Sequence, residues 1–158
     1  MPTYAATTAV SAEQSRGEIE RTLRRYGASS FMYGWDEGQG VLGFSLGNRQ
    51  VRFVLPLPDK ADRAFTLTPT KQRRAPKAAE QAYEQAIRQR WRALALVIKA
   101  KLEAVEAGIV SVDEEFLAHF VLPNGSTVGE QVIPEVERAY NLPGVTPLLA
   151  LTGTRSDN

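Results

Sequence analysis

The sequence predicts an α+β fold: a three-stranded antiparallel meander packed by an N-terminal helix and a long central helix, with a small C-terminal helical segment. Three observations lead there. Between residues 29 and 57 apolar side chains alternate with small or polar ones, the period of a strand, and turn-forming residues interrupt them twice. From Tyr83 to Val105 the apolar residues recur every three or four positions, the period of a helix. The length, 158 residues, suits one domain. The expected organisation is a flexible arm over residues 1–14, a single domain over 15–150 and a disordered tail over 151–158.

The elements follow in order. Residues 1–14 are rich in Thr, Ala and Ser and carry no period. Ser15 and Glu18 have capping-box spacing, Ile19, Leu23 and Tyr26 form one helical stripe, and Gly27 supplies a left-handed stop. In the meander, Phe31, Tyr33 and Trp35 share one face with Leu42, Phe44, Val51 and Phe53, a bulky set that calls for cover by helices. Gly34, Gly43, Ser45 and Arg52 fall on the other face, which is expected to lie open. Residues 58–76 hold Pro58, Pro69 and five cations without apolar period, and read as a long basic loop. Ala75 and Pro76 open the strongest helix, which Gly108 ends; thirty or so residues make about 45 Å. Phe116, Leu117 and Phe120 come next, then a Pro-Asn-Gly turn at 123–125. Thr127 and Glu130 repeat the capping-box spacing ahead of a short helix with Val132, Ile133, Val136 and Tyr140.

Composition bounds the function. At 43% hydrophobic and 23% charged residues, usage is that of an ordinary globular protein. The absence of cysteine excludes disulfide scaffolds, thiolate zinc sites and cysteine nucleophiles, and fits the cytoplasm. No apolar run approaches the ~18 residues of a bilayer span, and the first residues lack signal-peptide form. His119 is the one histidine; with Glu115 it has a helical i, i+4 spacing that a metal site could use, but a lone His/Glu pair usually hydrogen-bonds locally and no second histidine is there to help. Asp113, Glu114 and Glu115 suit the positive end of a helix. The glycines match neither a phosphate loop nor a dinucleotide fingerprint. No enzyme, metal or cofactor is expected.

The net charge of +1 hides a layout. Residues 71–101 carry nine Lys/Arg against two Glu, whereas residues 102–158 carry two Arg against nine acids. Either the basic stretch faces a polyanion, or the two blocks neutralise each other. For a polyanion, Lys71, Arg73, Arg74 and Lys77 lead straight into the long helix, where Arg88, Arg92 and Lys99 fall within about 40° of one another. Arg52 on the thin sheet face would assist. Tyr33 and Trp35 are candidates for stacking on unpaired bases; since they share a face with Phe31, core packing is the expectation against which stacking is weighed. The third class is a protein-binding module, since the long helix with Trp91 offers apolar surface to a host protein or to a second copy of the chain.

Several stretches resemble a family of bacteriophage and prophage proteins to which no activity is assigned: residues 15–28 (SRGEIERTLRRYGA), 31–34 (FMYG), 51–59 (VRFVLPLPD), 83–109 and 115–130 (EFLAHFVLPNGSTVGE). The resemblance implies a phage-type gene expressed in a bacterial cytoplasm, with a role in DNA replication or recombination or in blocking host defences. It carries over no functional residues. The order α-β-β-β-α is also that of the double-stranded-RNA-binding module, from which the long loop before the second helix departs. The resulting expectation is a non-enzymatic protein that binds single-stranded DNA; the alternative is a protein-binding inhibitor or adaptor acting through the long helix.

Overall fold

A computed structural model describes residues 5–144, and the expected C-terminal tail lies outside them. The order is α1 (Ala12–Arg25), β1 (Ala28–Asp36), β2 (Gln39–Leu46), β3 (Arg49–Pro56), a short α2 (Arg63–Thr66), α3 (Pro76–Glu106), α4 (Val112–Phe116) with a following 3-10 turn (Leu117–His119), and α5 (Val128–Tyr140). This is the expected α+β architecture.

The strands pair antiparallel in the order β1-β2-β3. Glu37 with Gly38, and Gly47 with Asn48, make the two-residue turns between them, and both glycines have positive φ. Register places Phe31, Phe44 and Val51 in one cross-strand row and Tyr33, Leu42 and Phe53 in the next, on the face that α1 and α3 cover. Met32, Gly43 and Arg52 form a row on the opposite face, which no helix among the described residues covers. Ile19 and Leu23 of α1, and Trp91, Leu94, Ile98 and Leu102 of α3, close the core from above. At its centre is Phe116, with the rings of Phe44 and Phe53 edge-on to it at 6.0 and 6.4 Å. Apolar burial of this kind contributes about 2–3 kcal/mol per large side chain.

Two expectations are corrected here. Helix α1 starts at Ala12, capped by Ser11, whose hydroxyl accepts from the Gln14 backbone N–H while the Gln14 side chain accepts from Ser11 N–H. Ser15 is instead a core residue, its hydroxyl buried with no hydrogen-bond partner among the described residues. The segment ahead of α1 is also tied down: Ala5 is buried, and the Gln85 amide donates to the carbonyls of Ala6 and Thr8 at 3.2 and 2.9 Å. The two serines are therefore expected to respond in opposite directions. Ser11→Ala should cost about 1 kcal/mol by removing a cap. Ser15→Ala should be neutral or stabilising, because it relieves an unpaired buried hydroxyl. Urea midpoints of the two variants check this; a loss at Ser15 as large as at Ser11 would count against the assignment.

The acids near residue 115 are used separately. Glu114 completes a capping box with Ser111, Asp113 accepts from Arg49, and Glu115 pairs with Lys101 at 2.8 Å. His119 does not meet Glu115 on a helix face. It lies in the 3-10 turn and stacks on Phe53 with ring centroids 4.0 Å apart. Burial there holds its imidazole below the ordinary histidine range, and the Lys101 ammonium pushes the same way. The folded state thus prefers neutral His119. Stability should be complete above the unfolded histidine value near 6.5 and fall as pH drops below it toward the folded value. His119→Phe should flatten the dependence of the unfolding midpoint between pH 7 and 5.

Candidate nucleic-acid interface

Helices α1 and α3 run side by side in the same sense, since Gln85 reaches residues 6 and 8, Arg16 lies against Trp91, and Arg92 pairs with Glu18. Where the start of α1 meets the end of β1, this seam opens into a cleft of about 530 Å³. Trp91 is almost fully buried at its base. Gly40 makes room for that indole: a Cβ there would stand 2.9 Å from Trp91 Cζ2. Tyr83, Ile87 and Leu57 continue the apolar wall.

Two arginines shape the cleft. The Arg16 guanidinium lies 4.8 Å from the Tyr33 ring and 5.1 Å from the Trp91 ring, and it pairs with Glu13 at 3.3 Å. Glu13 is held below the usual carboxylate range, first by a backbone N–H and further by Arg16. Arg88 donates from Nε and Nη2 to the Gln85 side-chain oxygen at 3.1 and 2.7 Å, so the same glutamine that grips the N-terminal segment also orients this guanidinium. Trp35 lines the same cleft, yet its side chain is 74% exposed. Tyr33 is half exposed. Core packing, the expectation for these two aromatics, is therefore overturned: β1 is an edge strand, and α1 leaves its outer end uncovered.

The basic loop abuts this cleft. Phe65 of α2 meets Tyr83 edge-on at 5.7 Å, and Lys60 approaches the same ring. The loop is more ordered than its sequence suggests. Leu67 and Arg73 form a bridge, Thr68 N–H donates to the Gln72 carbonyl, Arg74 N–H donates to the Thr66 carbonyl, and Lys71 sits at the tip with φ of 63°. This knuckle presents Lys71, Arg73, Arg74 and Lys77. Among the described residues none of the four has a side-chain hydrogen bond or ion pair. It stands at the start of α3, whose first turn has neither a side-chain cap nor an acid, so the positive end of a 31-residue helix adds to the cations.

The other expected contacts lie elsewhere. Arg92 is neutralised by Glu18 across the α1–α3 seam. Arg52 projects from the opposite sheet face and pairs with Glu130 at 3.4 Å. Lys99 is exposed, but eleven residues beyond Arg88, about 16 Å along the axis. The basic and acidic blocks themselves meet at Lys101 with Glu115. Trp91, expected to offer apolar surface to a partner, is in the core. Sequence reasoning missed Arg16 and Tyr83. Seventy-five positions separate Arg16 from Trp91, and no local pattern announces that meeting.

The arrangement defines an α+β protein with one sheet face open and an arginine- and aromatic-lined cleft beside a cationic knuckle. The chain matches no family model, no curated protein and no solved structure. No described helix is long and apolar enough to cross a membrane.

Proposed function

We propose that the chain is a non-enzymatic protein that binds single-stranded DNA along the knuckle and the cleft. In the setting its resemblance implies, the role is in phage DNA replication or recombination in the bacterial cytoplasm. The observation that carries the reading is Trp35, a large aromatic left 74% exposed at the rim of a cleft that holds two oriented arginines and adjoins four cations without an ion pair among the described residues. Unpaired bases offer faces for such an indole, and stacking of this kind is worth about 1–3 kcal/mol per base. Phosphates on either side would meet Arg88 and the knuckle. A duplex hides its base faces, so the aromatic part of the site favours single strands. The competing reading, a host-protein inhibitor or adaptor docked on the long helix, has less support because Trp91 is buried.

Fluorescence anisotropy with labelled single- and double-stranded oligonucleotides tests the proposal. Four to five phosphate contacts give a logarithmic salt slope of about −3 for single strands. Binding that weakens steeply with salt and prefers single strands is the expected result. No binding at 50 mM salt would reject the function.

A further inference from the structure

Gln85 joins the N-terminal segment to the cleft. Its side-chain nitrogen donates to the Ala6 and Thr8 carbonyls at 3.2 and 2.9 Å, and its oxygen accepts from Arg88 Nε and Nη2 at 3.1 and 2.7 Å. An amide has one donor end and one acceptor end, so the two carbonyls fix which end faces the guanidinium. Turned over, the same side chain would set N–H against N–H.

Arg88 has another partner within reach of its sequence position that it does not use. Glu84 precedes it by one helical turn, at the i, i+4 spacing that favours an ion pair. Yet Glu84 is exposed and has no ion pair among the described residues. The choice has an electrostatic consequence. A carboxylate would orient the guanidinium and cancel its charge, as Glu18 does for Arg92. A neutral amide oxygen orients it and leaves the charge for an anion in the cleft.

The segment that steers the amide is itself lightly held. Thr8 N–H donates to the Ala5 carbonyl and Val10 N–H to the Thr8 hydroxyl, both at 3.2 Å, and of residues 5–10 only Ala5 is buried. The segment then runs into Ser11, the cap of α1, which lines the cleft together with Arg16. Anchored by one small side chain and a few hydrogen bonds, it belongs to the part of a fold that opens most readily.

We propose that Gln85 is a positioning residue for phosphate binding in the cleft. With residues 5–10 docked, it presents Arg88 as an oriented cation whose charge is not cancelled. With them released, Arg88 turns to Glu84 and the cleft loses its hold on phosphate. The identity of the ligand, a single-stranded DNA backbone, rests on the function proposed above, whereas the coupling of segment to arginine rests on contacts within the chain. Such coupling is reciprocal: docking of the segment raises DNA affinity, and DNA raises docking by the same factor.

Hydrogen exchange over residues 5–10 and anisotropy with a labelled oligo-dT strand, both on the full chain, provide the test. Ala5→Gln is neutral and lies outside the cleft lining. It should release the segment, speed its exchange and lower DNA affinity about tenfold. Arg88→Ala should lower affinity about as much, and the double variant no further, because one route carries both losses. Saturating oligo-dT should slow exchange of the wild-type segment by about the factor that Ala5→Gln costs. If Ala5→Gln leaves the segment protected or misfolds the chain, Gln85→Leu takes its place. Faster exchange with undiminished affinity, or losses that add, would overturn the proposal. A further readout needs no DNA. Arg88→Ala alone should speed exchange over residues 5–10 at least about fivefold, since Gln85 loses the partner of its acceptor end. Unchanged exchange in that variant overturns the coupling even where DNA binds. Accelerated exchange in a chain that binds no oligonucleotide upholds the coupling and rejects the DNA reading alone.

Discussion

Reversing three charges on the knuckle, Lys71→Glu, Arg73→Glu and Lys77→Glu together, should weaken single-stranded DNA binding at least about a hundredfold near 0.1 M salt. Each phosphate contact contributes about 0.7 to the logarithmic salt slope for a single strand. Removing three should therefore flatten that slope by about 2. The three side chains are exposed and have no ion pair among the described residues, so the fold should tolerate the change. Arg92 is a poor choice for the same experiment, because a carboxylate there would face Glu18 across the α1–α3 seam. Trp35→Ala should behave differently. It should lower affinity by about 1–3 kcal/mol and leave the salt slope unchanged, since stacking releases no counterions. The two variants thus separate electrostatic from stacking contributions. An affinity untouched by both would place any DNA contact elsewhere.

Phe116→Ala should be the most damaging single core substitution, costing about 3–5 kcal/mol of stability. The ring has no solvent exposure and joins the sheet, through Phe44 and Phe53, to the C-terminal segment. The Lys101 ammonium also lies over this ring, 5.8 Å from its centroid. Truncation would leave a cavity that three separate elements would have to move to fill. For a domain of this size the melting temperature should fall by about 10 °C or more. Leu117→Ala, one residue along but half exposed, is the control and should shift stability by about 0.5 kcal/mol or less. Similar losses at both positions would contradict the packing described.

The meander was legible because alternation and two glycine turns leave only one register that buries Phe31, Leu42, Phe44, Val51 and Phe53 together. Helix α3 was legible from its stripe, its opening proline and Gly108. The start of α1 was not. Ser11 with Gln14 and Ser15 with Glu18 both have capping spacing, and the choice depends on which serine the core reaches. Local pattern carries no such information. The knuckle's cations were readable as a cluster, yet which arginines stay free depends on partners far along the chain: Glu18 is 74 residues from Arg92, and Glu130 is 78 from Arg52. Trp35 could be assigned its face but not its exposure. Exposure follows from β1 lying at the sheet edge with its outer end uncovered by α1, which depends on how a distant helix is placed.

The cleft's composition also bears on the order in which the chain assembles. The meander closes through two-residue turns, whereas the α1–α3 seam joins residues 74 apart. Closing that larger loop costs about 2–3 kcal/mol more in chain entropy than closing a hairpin. The sheet can therefore form early, with α1 docking late and being the first element to leave. Arg16 comes from the late segment, Trp35 from the early one, and Tyr83 and Arg88 from a third. A strand of DNA lying over all of them would act as an external clasp, holding the last piece to arrive against the first and slowing its release.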